Sequence, residues 1–204
     1  MVRYKNDHSA KTREMIIDAA GKLLREKGFA ETSVGTVMKA VGLTHGGFYA
    51  HFADKTAMLS AAVDEAFVQS PKNFAMLAKM ATAQNDTGLI ARYYLSDGKV
   101  ADVATGCPAA ALASEIPRQE LPVIERFEAG SIETVAALAN APGLSNQDQP
   151  FAWAAMSMLI GGLELMRATN DQNQREAIRE EIIAALRNLS GTQSSQQSSS
   201  NKGT

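Results

Sequence analysis

The chain has 204 residues, of which 45% are hydrophobic and 21% charged. These are the proportions of an ordinary folded domain, and the length suffices to bury a core. A net charge of −2 and a single cysteine argue against a protein that coats nucleic acid by bulk charge and exclude a disulfide-stapled secreted scaffold. The charge is uneven: Met1 to Ser60 carries nine basic against six acidic residues, and the remainder eleven against sixteen. The basic end is where an anionic partner would meet the chain.

Residues 1–8 read as a loose polar arm without an apolar signal core. A first helix is predicted from about Ser9 to Lys27, with Ile16, Ala20, Leu23 and Leu24 on one face. Gly28 supplies a left-handed stop, and Phe29 tucks under it. Ser33 is placed to cap a second helix over Val34 to Ala40, ended by Gly42. Thr44 is placed to cap a third, His45 to Phe52, and Asp54 a fourth that carries Met58, Leu59, Ala62 and Phe67 inward. Pro71 punctuates the end of this group.

Breaks follow at Gly88, Gly106–Pro108, Pro117–Pro122, Pro142–Gly143 and Asn170–Asn173, with helical patterns between. Phe151 to Ala168 is apolar on nearly all sides and must be buried. Ser157 and Glu164 interrupt it, and it is shorter than the roughly 20 apolar residues of a membrane span. Arg175 to Leu189 is amphipathic, with Ile178, Ile182, Ala185, Leu186 and Leu189 on one stripe. From Ser190 the Ser/Gln-rich sequence cannot bury apolar surface and is expected to be disordered. The fold expected is all-α: an N-terminal three-helix domain over 1–53, a helical bundle over 54–189 and a tail over 190–204, about nine helices in all. No membrane is expected as a partner, and the location expected is cytoplasmic.

The second and third helices and their glycine turn have the layout of a helix-turn-helix. Val34, Val37 and Met38 give the second helix an inner face, and Leu43 plugs the angle between the two. Phe48 and Phe52, four apart, anchor the third helix. Thr44, His45, Gly46, Tyr49 and His51 are then free to face outward, where such a helix enters the major groove. The hydroxyls of Thr32, Ser33, Thr44 and Tyr49 and the ammonium of Lys55 suit phosphate oxygens. Gly46 and Gly47 each cost helix stability and offer no side chain to a base, so close backbone approach is their benefit and His45 carries much of the side-chain reading.

Gly28, Phe29, Thr32 and Ser33, then Val41-Gly42-Leu43-Thr44, then Phe48-Tyr49-Ala50-His51-Phe52 and Asp54-Lys55 resemble the DNA-binding domain of the TetR family of repressors. The resemblance is close over residues 11–60. It implies double-stranded operator DNA and a second copy of the chain as partners, with the last two helices forming a four-helix dimer interface. Small residues Ala154, Ala155, Gly161 and Gly162 would permit close approach, and Trp153, Met158, Leu159 and Leu163 would supply area. It also implies a pocket for a small-molecule effector within residues 74–168, with Phe74, Tyr93, Tyr94, Phe127 and Met156 as candidate lining, although residues at such spacing are more often plain core.

Pro108 fits a first helical position, which puts Cys107 at an N-cap. A helix N-terminus favours the thiolate, and Gly-Cys at this place is similar to that of TetR-like repressors that sense reactive electrophiles. Cys107 is thus the alternative sensor, against the bland role of a small packed residue. No enzyme and no cofactor are expected. The chain has no His-x-x-x-His, no Glu-x-x-His, no P-loop and no nucleophile elbow. His45 and His51, six apart on a short helix, do not suit a metal.

Overall fold

The computed structural model describes the backbone of residues 2–144 and 151–200, and side chains over 8–144 and 151–189. Among the described residues there are ten α-helices, two 3₁₀ segments and no strand. In chain order these are α1 (Val2–Glu31), α2 (Val34–Ala40), a 3₁₀ segment (His45–Ala50), α3 (Lys55–Phe67), α4 (Ser70–Gln84), α5 (Gly88–Tyr94) and α6 (Asp97–Ala101). After them come α7 (Pro108–Leu112), a second 3₁₀ segment (Ile116–Arg118), α8 (Leu121–Leu138), α9 (Ala152–Ala168) and α10 (Gln172–Ser200). The chain divides into two compact units: Met1–Val68 with Val103–Ser131, and Gln69–Asp102 with Ile132–Thr204.

In the first unit α1 packs mainly on α3. Ile16, Ala20 and Leu24 of α1 meet a core that includes Val37 and Met38 of α2, Phe48, and Met58, Leu59, Ala62 and Val63 of α3, all buried. Each large side chain in this set contributes about 1.5–3 kcal/mol by leaving water. The expected arm is instead helical from Val2. Residues 2–8 hold no glycine or proline, and a helix already nucleated gains one bond per added residue.

Gly28 ends regular helix, as expected, but not in the left-handed helical conformation. Its φ of 76° and ψ of −179° belong to the extended positive-φ region that glycine alone occupies readily. A Cβ there would fall under 3.0 Å from the Glu115 carboxylate. That carboxylate instead accepts a 3.1 Å hydrogen bond from the Phe29 N–H. The end of α1 is therefore held from the segment that follows α7.

In the second unit α5 packs against α4, α9 and α10, and α9 lies along α10. Two glycines make the close contacts possible. A Cβ at Gly88 would fall under 3.0 Å from Arg187 and Ile183, and one at Gly162 from Ile182. Thr87 Oγ1 donates to the Leu186 carbonyl at 3.0 Å. Asp86 accepts from Arg187 (2.9 and 3.0 Å) and from Arg92. The Arg187 hydrogen bond is the main cause that lowers the Asp86 carboxyl from 3.8 to about 2. Arg167 reaches across to the carbonyls of Lys99, Val100 and Asp102, and so closes the end of α6.

Several helix limits differ from the sequence expectation for identifiable reasons. The stop after α4 is Asn85, with φ 49°, because Asp86 N–H and Asn85 N–H close on the Ala81 and Thr82 carbonyls. Gly88 begins α5, and Pro71 lies in the first turn of α4. In α9 the apolar surface is not buried all round. Ala155, Leu159, Gly162 and Leu163 face the unit's own core, whereas Trp153 and Leu165 are 54% and 61% exposed. Of α10, Ile183 and Leu186 are fully buried, while Ile178, Ile182, Ala185 and Leu189 are half-buried. α10 continues to Ser200 past the onset of expected disorder, again by extension of a helix nucleated upstream. Residues 201–204 of that tail lie outside the described residues.

Candidate nucleic-acid interface

Ser33 has extended backbone, and its Oγ accepts from the Thr36 N–H at 3.0 Å, which caps α2 as expected. Its other contact is the Thr36 hydroxyl at 2.8 Å. α2 ends at a two-bond glycine turn. The Leu43 N–H donates to the Met38 carbonyl (2.9 Å) and the Gly42 N–H to that of Lys39 (3.1 Å), with Gly42 at φ 71°. This is a Schellman closure, which requires positive φ at the glycine. Leu43 does not plug the inter-helix angle: its side chain is 37% exposed. Its backbone closes the turn, and it is buried Met38 whose Cε comes within 3.8 Å of a Cβ built on Gly47.

The segment after the turn is a 3₁₀ helix over His45–Ala50, not an α-helix to Phe52. Six residues with two adjacent glycines lose much of the α-helix's advantage, and short pieces adopt the tighter form readily. Thr44 stands at the N-cap position with extended backbone but makes no side-chain cap. Its carbonyl accepts from the Gly47 N–H at 3.0 Å, and its side chain is exposed.

Phe48 and Phe52 hold the segment to the core. Both are buried, with rings stacked 5.5 Å apart, and the Arg13 guanidinium lies 4.9 Å above the Phe52 ring. Outward stand His45, Gly46 and Tyr49, the last 64% exposed. Tyr49 meets Phe48 edge-on at 5.2 Å and His45 at 6.1 Å, so its hydroxyl end projects from a braced ring. His51 is half-buried, and Lys55 is exposed in the first turn of α3. Asp54 fixes that turn by accepting from the Ala57 N–H at 2.7 Å. A short, solvent-facing element anchored by two buried rings thus presents imidazole, phenol and hydroxyl groups, with the Lys55 ammonium at the start of α3 beyond it.

Thr32 must be removed from this set. Its side chain is 0% exposed, and its hydroxyl donates to the Gly28 carbonyl at 2.8 Å. A hydroxyl four residues past a helix-breaking glycine can fold back on it, and here it does. Lys39, exposed in the last turn of α2, escaped the sequence reasoning. A lysine just before the Gly42 turn of a net-basic segment was the available signal.

The candidate effector residues are divided between the two units. Phe74 and Tyr94 are buried in the second unit with rings 5.7 Å apart. Met156 is buried there too, on α9. Tyr93 points outward beneath Lys99, whose ammonium is 5.5 Å from the ring. Phe127 belongs to the first unit, where it meets Phe67 edge-on at 5.4 Å. Cys107, also of the first unit, stands at the N-cap of α7 as expected and is half-buried. Among the described residues no group of three or more His, Cys, Asp or Glu could hold a metal ion. No helix among them is long and apolar enough to cross a membrane.

Residues 16–62 match the model of the bacterial regulatory proteins, tetR family. The HTH-type transcriptional regulator AcrR of Shigella flexneri is 38% identical over 60 residues, 29% of this chain and 28% of that protein. The match thus spans under a third of that relative's length. The reduced form of E. coli NemR has a similar fold, with a TM-score of 0.70 and 17% identity over 87% of this chain and 96% of that one. The multidrug binding protein EbrR complexed with imidazole has a TM-score of 0.58 and 22% identity, covering 85% and 93%. At these identities the structural likeness speaks of fold alone.

Proposed function

We propose that the chain, whose residues 16–62 match the model of the bacterial regulatory proteins, tetR family, is a cytoplasmic, dimeric transcriptional repressor of that family that leaves a palindromic operator when a small-molecule effector binds. Residues 1–53 read the duplex, and residues 54–189 dimerise and receive the signal. The observation that carries the reading is the segment from Thr44 to Lys55. Two buried phenylalanines fix it, while Thr44, His45, Gly46, Tyr49 and Lys55 stay exposed. Such an element fits a major groove, with base edges before it and phosphates beside it.

Self-association is supported by α9. Trp153, Ser157, Gly161 and Leu165, four apart, form an exposed stripe, and a Cβ at Gly161 would meet nothing within 4 Å. A second copy covering this stripe would set two reading segments on one DNA face, about 34–36 Å apart or at a wider spacing. The effector is proposed to bind within the second unit, near the buried Phe74–Tyr94 pair and Met156. EbrR, which shares the fold, holds imidazole.

The test is duplex binding across a salt series. The logarithm of affinity should fall linearly with that of salt, and Lys55→Ala should reduce the slope by about 1. Absence of any salt-sensitive duplex affinity would refute the proposal. A second reading has Cys107 as the sensor, favoured by a thiol that is free and only half-buried. Its sulfur would add to one carbon of an electrophile's activated C=C bond, the π bond breaking and the other carbon taking up a proton from solvent to replace the one the thiol released. Cys107→Ser should abolish release by an electrophile under that reading and leave release by a reversible ligand unchanged under the first.

A further inference from the structure

Several glycines of the described chain have a reason inside it, whereas Gly98 and Gly161, like Gly46, stand open. Gly28 and Gly42 have φ of 76° and 71°. Gly88, Gly130 and Gly162 face atoms that a Cβ would approach to under 3.0 Å. Gly46 has neither reason. Its φ is not positive, and a Cβ built on it would meet nothing within 4 Å. Alanine would favour a helical segment over glycine at such a position, so glycine here costs the segment stability.

We propose that Gly46 is where the reading segment's backbone comes closest to the duplex, and that its missing methyl group sets sequence selectivity. Side chains three apart eclipse in a 3₁₀ helix, so Gly46 stands in one column with Tyr49, on the exposed edge that also carries His45. A methyl at 46 would stand between that edge and the groove floor. It would lift His45 from base edges and leave phosphate contacts, which carry no sequence information, in place. Gly47 is not equivalent. It is half-buried, and a Cβ there would rest in ordinary contact with Thr44 Oγ1 (3.7 Å) and Met38 Cε (3.8 Å).

This inference rests on the DNA-binding reading above, and the experiment separates the two. The full-length wild type first selects a duplex from a random-sequence pool. The wild type, Gly46→Ala and Gly98→Ala are then titrated against that duplex and an unrelated one of equal length, and melted without DNA. Gly98, in α6 of the second unit, is equally open with ordinary φ and serves as the control.

Gly46→Ala should melt at or above the wild-type temperature and bind the selected duplex about tenfold or more weakly. Its low-salt affinity for the unrelated duplex should stay within about twofold, and Gly98→Ala should keep both affinities. Undiminished binding of the selected duplex by Gly46→Ala would overturn the inference. So would a lower melting temperature, or equal loss on both duplexes. A wild type that selects no sequence and shows no salt-sensitive affinity would instead refute the DNA-binding reading itself.

Discussion

The reading segment of the first unit and the α5–α9–α10 packing of the second both contain glycines within helical elements, and use them in opposite ways. At Gly162 and Gly88 the missing side chain lets one helix lie against another, with Ile182, Ile183 and Arg187 filling the place of a Cβ. At Gly46 the place is open. The polar groups differ in the same sense. In the second unit Asp86, Arg167, Arg179 and Arg187 are tied to partners within the unit. In the reading segment His45, Tyr49, Thr44 and Lys55 project into solvent from a braced backbone. A glycine that packing explains belongs to the fold; at Gly46 packing explains nothing, and the residue stands on the exposed edge between His45 and Tyr49.

The comparison is tested first where the two regions resemble each other, at their cores. Phe48 is the anchor of the reading segment and is fully buried. Phe48→Ala should cost about 3–5 kcal/mol, measured by denaturant unfolding, and should remove duplex binding even at temperatures where the variant is folded. A folded variant with unchanged affinity would show that the segment needs no anchor. Gly162→Val is the counterpart in the second unit. It should destabilise by about 1–3 kcal/mol through overpacking against Ile182. A variant as stable as wild type would erase the distinction drawn between Gly162 and Gly46.

The ion-pair contrast can be sharpened by pH. The Asp86 carboxyl lies at about 2, below its ordinary 3.8, chiefly through the Arg187 hydrogen bond. A lowered folded value means that the group stabilises the fold fully above about pH 4. That contribution fades as pH falls through about 2. The stability gap between wild type and Asp86→Asn should therefore be constant from neutral pH to about 4 and close toward about 2. A gap independent of pH over that range would show that the carboxylate charge contributes nothing to the α5–α10 tie.

The first unit was largely legible in the sequence and the second was not, for physical reasons. Caps, positive-φ glycines and aromatic anchors act over a few residues, so Ser33, Gly42, Phe48 and Asp54 could be placed from local pattern. Thr32 was misjudged because a hydroxyl looks the same in sequence whether it bonds to phosphate or to the Gly28 carbonyl. The 3₁₀ geometry of His45–Ala50 turns on a balance of small terms that pattern does not weigh. In the second unit the information is long-range. Nothing near Gly162 announces Ile182, and nothing near Tyr93 says that it points out while Tyr94 points in. Periodicity found that α9 is apolar. It did not reveal which of Trp153 and Leu159 is covered by the chain itself.

The smallest effect is the most discriminating within the reading head. Ser33 and Thr44 are both hydroxyl residues at N-cap positions with extended backbone, and sequence alone assigns them the same two roles, cap and phosphate contact. The structure divides these roles. Ser33 Oγ holds the Thr36 N–H, so Ser33→Ala should cost about 1 kcal/mol of stability. Thr44 makes no such bond, so Thr44→Ala should change stability by no more than about 0.5 kcal/mol. If the free hydroxyl of Thr44 meets the duplex, the order reverses in DNA binding, with Thr44→Ala losing more affinity than Ser33→Ala measured where both are fully folded. Equal stability losses would mean that Thr44 caps its segment in solution after all. Its hydroxyl would then be held by the fold, as that of Thr32 is, and base and phosphate contact would fall to His45, Tyr49 and Lys55.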